Sequence, residues 1–587
     1  MWKKISLLFV GLLLLGYILI LVKPDFAKTP PTLYYNANIL TVDEAAPTAD
    51  AMLVVDGIIE QIGNEASLET SGIRQLIRKD MGGATIMPGF IDVHTHFALS
   101  MFLSAMHDLS GFKHASNKEV WAHLAQVAKA THSGEWIVCK GLDPILVPDL
   151  VVPSRQFLDS IAPDQAVVIF SQSLHSYWAN SLAFEKVGIT TSTPDPSELS
   201  YYEKDEAGHF TGLIVEQEAF RPFAEKLTQE VLTPKVLGQA ARKVMDQYAR
   251  NGNTTIVSTG LTINDSKPLI LLKHLSAEYP SFIGKLLAKL GQLPSRKPAP
   301  RHFLYMRHDR SALLPKQKGE RNDFYDILGI KHWYDGSPYI GSMYMDSSYL
   351  NTALTTDVLH IPAGSKGNAL LDKAALQSFI QQYHEAGWQI AIHTQGDAAI
   401  KEVVSTYEEL SQTLDFSQSR HRLEHCLMLP VDELSRIKAL NLFPSYHINH
   451  IYYYGDALAT GLLGEKRSQQ ILPLKSSLDS GIIGTLHADQ PMFESQPFRL
   501  IQTAVERKTK SGDTIGPEER IDVLEAIKCL TIHAAHQIHK EDKLGTLAKG
   551  KYADFIVLDR NPLTVPVESI DQVQCLQTFI HGNQVSY

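Results

Sequence analysis

The chain is poor in cysteine. Among 587 residues there are four, Cys139, Cys426, Cys529 and Cys575, all far apart. Four cannot build a disulfide-dense secreted scaffold. Most are expected to be buried and unpaired. A basic excess is also missing: 54 Lys and Arg face 64 Asp and Glu, a net charge of −10. That argues against a nucleic-acid partner, which usually meets a basic face. There is no internal repeat and no low-complexity stretch. With 44% hydrophobic and 20% charged residues, the composition is that of a globular protein. It excludes a disordered, collagenous or multi-span membrane chain. The one unusual abundance is histidine, at 24 residues. Histidine is the commonest metal ligand and a frequent proton carrier, so the positions of these residues carry the argument.

A long uncharged run, Ile5–Val22, follows Lys3 and Lys4 and precedes Lys23. Its length can span a bilayer. The lysines before it keep the N-terminus cytoplasmic and export the rest of the chain. A cleaved signal usually has a shorter apolar core and a small-residue cleavage site. Residues 1–31 are therefore read as an uncleaved membrane anchor and linker, with a cleaved signal as the alternative. The expected location is the cell envelope, with the chain on the extracytoplasmic side of the inner membrane, or secreted if the run is removed.

Short strands mark both ends of the chain. Thr32–Val42 reads as one strand, Ala51–Val55 and Ile58–Ile62 as a hairpin around Asp56-Gly57, and Ala553–Leu558 and Gln577–Ile580 as two more. Residues 32–85 and 543–587 are thus expected to form one small β-sandwich from the two ends. Between them, eight apolar runs alternate with helical patterns: Phe90–His94, Thr254–Ser258, Phe303–Met306, Leu328–Trp333, Gln389–His393, His421–His425, Leu442–Tyr446 and Ile482–Leu486. Helices are expected at Lys235–Arg250, Asp372–Gly387 and Ala398–Leu414. In the second of these, Ala374, Leu376, Phe379, Ile380 and Tyr383 fall on one helical face. Repeated strand–helix alternation predicts an α/β fold, a (β/α)8 TIM barrel over 86–542. The long gap after its first strand predicts an inserted subdomain over 97–234.

The strongest local motif is His94-Thr95-His96, at the end of the first strand. Strand alternation puts both imidazoles on one face. By itself such a pair is a weak metal signal. Lys331, His393, His425 and Asp489 each fall where a predicted strand ends, and barrel enzymes place their chemistry at that end.

This set resembles the amidohydrolase superfamily, and most closely the amidohydrolase-3 family of metal-dependent, N-substituted formamide deformylase-like hydrolases. The resemblance runs from about Leu33 to Val585. It includes Asn36–Val42, a stretch ending Thr-Gly-Leu-Ile-Val-Glu at Glu216, and the near-terminal Leu544–Asp554 with its Gly-Lys-Tyr-Ala-Asp ending. It implies that His94 and His96 hold a more buried metal. Lys331 would be carboxylated and bridge two divalent ions, Zn²⁺ first. His393 and His425 would hold the second ion. Asp489 would touch metal and act as the catalytic acid/base. Related chains usually show Gln-Pro-x-His where this one has His447-Ile448-Asn449-His450. His450 matches the last position and is expected to contact substrate. His447 and Ile448 depart from that pattern, standing where related chains have Gln and Pro. His175, in a segment resembling the insertion, is a second expected substrate contact.

Plainer readings stand beside these. Lys331 could be a buried lysine paired with Asp335, and Asp489 a helix cap. His450 could be structural. Arg422 and Glu424 are read as supporting residues. His533, His536 and His539 read as one helix face, and Asp554 as a turn residue. The function expected is hydrolysis of a non-peptide C–N bond, amide, N-formyl or carbamate, in a small molecule. The alternatives are an ester or lactone hydrolase on the same site, or a membrane-tethered regulatory or binding protein without catalysis. Relatives suggest a homodimer.

Overall fold

Eight parallel strands form one sheet that curls into a nearly closed barrel, β1 Phe90–Thr95, β2 Asn253–Leu261, β3 Arg301–Arg307, β4 Tyr325–Trp333, β5 Gln389–Thr394, β6 Arg422–His425, β7 Phe443–Tyr446 and β8 Thr485–Leu486. All eight coincide with the expected runs. The computed structural model describes residues 29–587, apart from 199, 262, 264, 265, 279, 280 and 316–321. The run Ile5–Val22 lies outside the described residues. Among the described residues no helix is long and apolar enough to cross a membrane.

Helices connect the strands as the periodicity predicts. Pro234–Arg250 precedes β2, Lys373–Glu385 precedes β5 and Asp397–Leu410 follows it. Asp372 caps the second of these, accepting a hydrogen bond from the Ala375 amide at 2.8 Å, so the expected helix begins one residue later. Leu376, Phe379 and Ile380 are the face that it buries. Strands β1 and β8 meet through two amides beyond their ends. Asp489 N donates to His94 O at 3.1 Å, and His96 N to Gln490 O at 2.7 Å.

The two chain ends form two further sheets. One has four strands, in the order Ile58–Gly63, Ala51–Val55, Thr32–Tyr35, Ile77–Asp80. The other has six, with Thr85–Pro88 lying between Phe555–Leu558 and Asn38–Leu40. One apolar cluster draws Tyr34, Met52 and Ile59 from the first and Ile39, Ile86, Phe555 and Phe579 from the second. The expected single strand Thr32–Val42 is broken in two. Asn36 takes a left-handed φ of 52°, which Asn tolerates better than most residues, and each half joins a different sheet. The Asp56-Gly57 hairpin is formed, with both φ positive at 47° and 78°, the signature of a type I′ turn.

Leu99–Ala241 with Asp357–Leu359 make a second compact unit. Its six-stranded sheet is built on Trp136–Leu142 and Ala166–Ser171. One aromatic-rich cluster holds Phe170, Phe184, Phe220 and Phe223. A second gathers Trp121, Leu124, Leu158 and Ile169. All four cysteines are unpaired, and three are buried.

Asp554 does more than make a turn. Its carboxylate takes two hydrogen bonds, at 2.6 and 2.9 Å, from the fully buried Arg301 guanidinium at the start of β3. That guanidinium also lies 4.0 Å over the Phe324 ring and 4.3 Å over Tyr552. Removing one partner of a buried pair strands the other charge. Asp554→Ala is therefore expected to lower unfolding stability by about 3–5 kcal/mol in urea titration.

Two other buried groups set an acid limit. Burial holds His302 and His421 down to a pKa of about 3, against about 6.5 in an unfolded chain. As pH falls, the unfolded chain takes up these protons first, so stability drops between about pH 6.5 and 3. The urea midpoint is expected to be lower at pH 5 than at pH 7.5, and less so in His302→Asn.

Candidate metal centre and active site

The carboxyl ends of five strands supply the expected residues. His94 lies at the carboxyl end of β1, one residue before its last, and is fully buried, and His96 lies just beyond the strand. Lys331 sits on β4, His393 on β5, His425 on β6 and Asp489 just beyond β8. His425, Cys426 and Asp489 hold left-handed φ values of 73°, 52° and 55°. For residues with a Cβ such backbone costs of order 1–3 kcal/mol each and collects at functional sites. Here it turns the chain sharply at the two strand ends that carry His425 and Asp489.

Asp489 lies at the centre. Its Oδ1 is 2.9 Å from His96 Nε2 and 3.5 Å from His94 Nε2. Its Oδ2 is 3.9 Å from both His425 Nδ1 and His447 Nδ1. Three triplets each place their donor atoms within 4.8 Å of one another: His94, His96 and Asp489; His425, His447 and Asp489; and His94, His425 and His487. His393 adjoins them, its ring 4.5 Å from that of His425. Lys331 Nζ is fully buried without a hydrogen-bond partner, 5.3 Å from the Trp333 ring. Burial pulls its pKa down to about 8, against the opposing pull of Glu424 and Asp489. The room for it comes from Gly260 on β2. A Cβ there would fall 2.5 Å from the Trp333 ring and 3.1 Å from Lys331 Cγ.

Two buried carboxylates orient the imidazoles. Glu424 takes the Nδ1–H of His94 and pairs with Arg422 at 2.7 Å. The other nitrogen, Nε2, is thereby left as a lone pair. Asp335 accepts from His393 Nδ1 at 3.1 Å and from the amides of Tyr344, Gln395 and Gly396 at 3.1, 2.9 and 2.8 Å. The Lys331–Asp335 pairing is therefore not formed, because His393 and three amides already hold that carboxylate. Nor is Asp489 a helix cap: the next helix, Pro497–Glu506, has Gln496 at its N-cap.

His450 is buried, with Nδ1 2.6 Å from Tyr339 Oη and Nε2 without a partner. Its ring centroid is 4.1 Å from that of His447. Burial holds its pKa down near 3, so the ring is neutral. His175 belongs to the second unit, where its Nδ1 lies 3.0 Å from Glu216. His533 and His536 share the helix Ile532–Gln537, but His539 falls beyond it at φ 56°, so the three make no single face.

Sequence reasoning left three residues of this region without a role. His487 alternates with Asp489 just as His94 does with His96, and that spacing was the available signal. His447 stood out only as a departure from a pattern. Tyr339 gave none, because a loop position has no periodicity.

Among the buried polar atoms of this region without a hydrogen-bond partner are His94 Nε2, Lys331 Nζ, His447 Nδ1, His450 Nε2 and Asp489 Oδ1. Buried polar atoms are rarely left so. Imidazole nitrogens crowded on a carboxylate are a donor set that a divalent cation of borderline softness satisfies. The residues present therefore fit a metal.

A parallel barrel with such a cluster at the carboxyl ends of its strands defines a metal-dependent hydrolase. The chain belongs to the amidohydrolase family, whose model matches residues 79–586. It is 25% identical over 557 residues to the N-substituted formamide deformylase of Arthrobacter pascens, covering 93% of this chain and 96% of that protein. It is also 25% identical over 571 residues to the protein LONG AFTER FAR-RED 3 of Arabidopsis thaliana, covering 95% and 93%. Among solved structures, an uncharacterized metal-dependent hydrolase from Pyrococcus horikoshii OT3 superposes with a TM-score of 0.70 at 20% identity, covering 92% of this chain and 99% of that one. One from Pyrococcus furiosus gives 0.67 at 22%, covering 91% and 100%.

Glu424 fixes the His94 tautomer without being a ligand candidate itself. Glu424→Gln is expected to weaken metal binding by about 10–100-fold, measured by chelator competition.

Proposed function

We propose that the chain hydrolyses a non-peptide C–N bond, of amide, N-formyl or carbamate type, in a small molecule. The observation that carries this is the convergence of His94, His96, His425 and Asp489 at the barrel mouth. His94 and His96 would hold one ion, His393 and His425 a second, and Lys331 would bridge them once carboxylated. The unpartnered Lys331 amine supports that last role: held near pKa 8, it is partly neutral at physiological pH. Its nitrogen lone pair can then bond to carbon dioxide with loss of a proton. When bound, divalent ions, with Zn²⁺ the first candidate, would polarise the substrate carbonyl and lower the pKa of water toward neutrality.

The chain's own groups do the rest. Asp489 takes the proton of the attacking water and returns it to the leaving nitrogen. Neutral His450, positioned by Tyr339 on its Nδ1, offers Nε2 to the substrate carbonyl. Glu424 and Asp335 keep the nitrogens of His94 and His393 that face the site free of protons. The bond assignment takes support from the deformylase relative, which is similar over nearly its whole length.

The test is a panel of N-acyl amines, N-formyl amines and carbamates, run beside matched esters and lactones. The nitrogen compounds are expected to be turned over faster. Asp489→Asn is expected to lower kcat by about 10²–10⁴-fold. Faster turnover of the esters would overturn the bond assignment. An Asp489→Asn variant as active as the parent would overturn the mechanism.

A further inference from the structure

We propose that His447 is a metal ligand. With His425 and Asp489 Oδ2 it would close a three-donor pocket, while Asp489 Oδ1 serves His94 and His96. This rests on the reading of the barrel mouth as a metal centre and adds a ligand to it.

His447 lies just beyond β7 and is fully buried. Its Nε2 lies 3.0 Å from the Ala488 carbonyl oxygen. A carbonyl can only accept, so Nε2 carries the ring proton and Nδ1 is a lone pair. That Nδ1 has no hydrogen-bond partner. It stands 3.9 Å from Asp489 Oδ2, as does His425 Nδ1. Leaving such a buried acceptor unmet is unfavourable. A cation among these three donors meets it.

His487 is held differently. Its Nδ1 is 2.7 Å from Ser445 Oγ, and its Nε2 faces His425 Nδ1 at 3.2 Å, a contact that a cation on His425 Nδ1 would replace. The Ala488 contact explains how His447 is aimed. Ala488 directly precedes Asp489, so one short segment orients the imidazole and supplies the carboxylate. An added imidazole shifts the donor set toward nitrogen, which favours Zn²⁺ or Co²⁺ over Mg²⁺ or Mn²⁺.

The test compares the full chain with His447→Gln, each stripped and reloaded with Zn²⁺. Metal content and its release to a chelator are then read. The parent chain is expected to hold two equivalents. The variant should lose one, or release it at about tenfold lower chelator concentration. If both proteins hold two equivalents with the same release, the proposal falls while the metal centre stands. If the parent holds none, the functional reading falls with it. Anomalous diffraction from the Zn²⁺-loaded parent needs no variant: a peak at about 2.0–2.1 Å from His447 Nδ1 supports the assignment. Peaks at the barrel mouth that leave Nδ1 beyond bonding distance overturn it.

Discussion

One residue ties the fold to the chemistry. The Asp489 amide donates to His94 O at 3.1 Å where the last strand of the barrel meets the first. Its carboxylate faces His94 and His96 with one oxygen, and His425 and His447 with the other. Barrel closure and assembly of the donor set are therefore one event. The left-handed backbone at Asp489 is the cost of doing both, and the packed barrel around it holds that strain in place.

The barrel interior is more polar than a core normally allows. Arg422 and Glu424 are both fully buried and paired at 2.7 Å. Arg422 also donates to Val93 O at 2.9 Å and lies 4.9 Å from the Tyr305 ring. Asp335 is filled by His393 and three amides. Each of these buried charges is met, which is the condition for keeping ions in a low-dielectric interior. The unmet nitrogens of His94, Lys331 and His447 are found at or just beyond strand ends, and that of His450 at the start of the helix that follows β7.

Much of this was legible in the residues. The eight strands show as apolar runs separated by helical periodicity, and the H-x-H spacing put His94 and His96 on one face of β1. What stayed hidden depended on distance between elements. Nothing local marks that Asp335 belongs to His393 rather than to Lys331, or that Asp554 reaches Arg301 from the far end of the chain. His487 was readable from its alternation with Asp489. Tyr339 was not, since loop geometry alone brings it to His450. The abundance of histidine also resolves only in part into chemistry. His302 and His421 are buried hydrogen-bonding groups of the barrel, 2.7 Å from Ser258 Oγ and 3.0 Å from the Ile390 amide.

The central claim is that hydrolysis needs cations held among these strand ends. The most direct measurement strips the protein with a chelator and restores Zn²⁺ stepwise while following turnover of an N-acyl substrate. Activity should vanish on stripping and return with added metal, reaching its plateau at two equivalents per chain. Full activity in the metal-free protein would contradict the account.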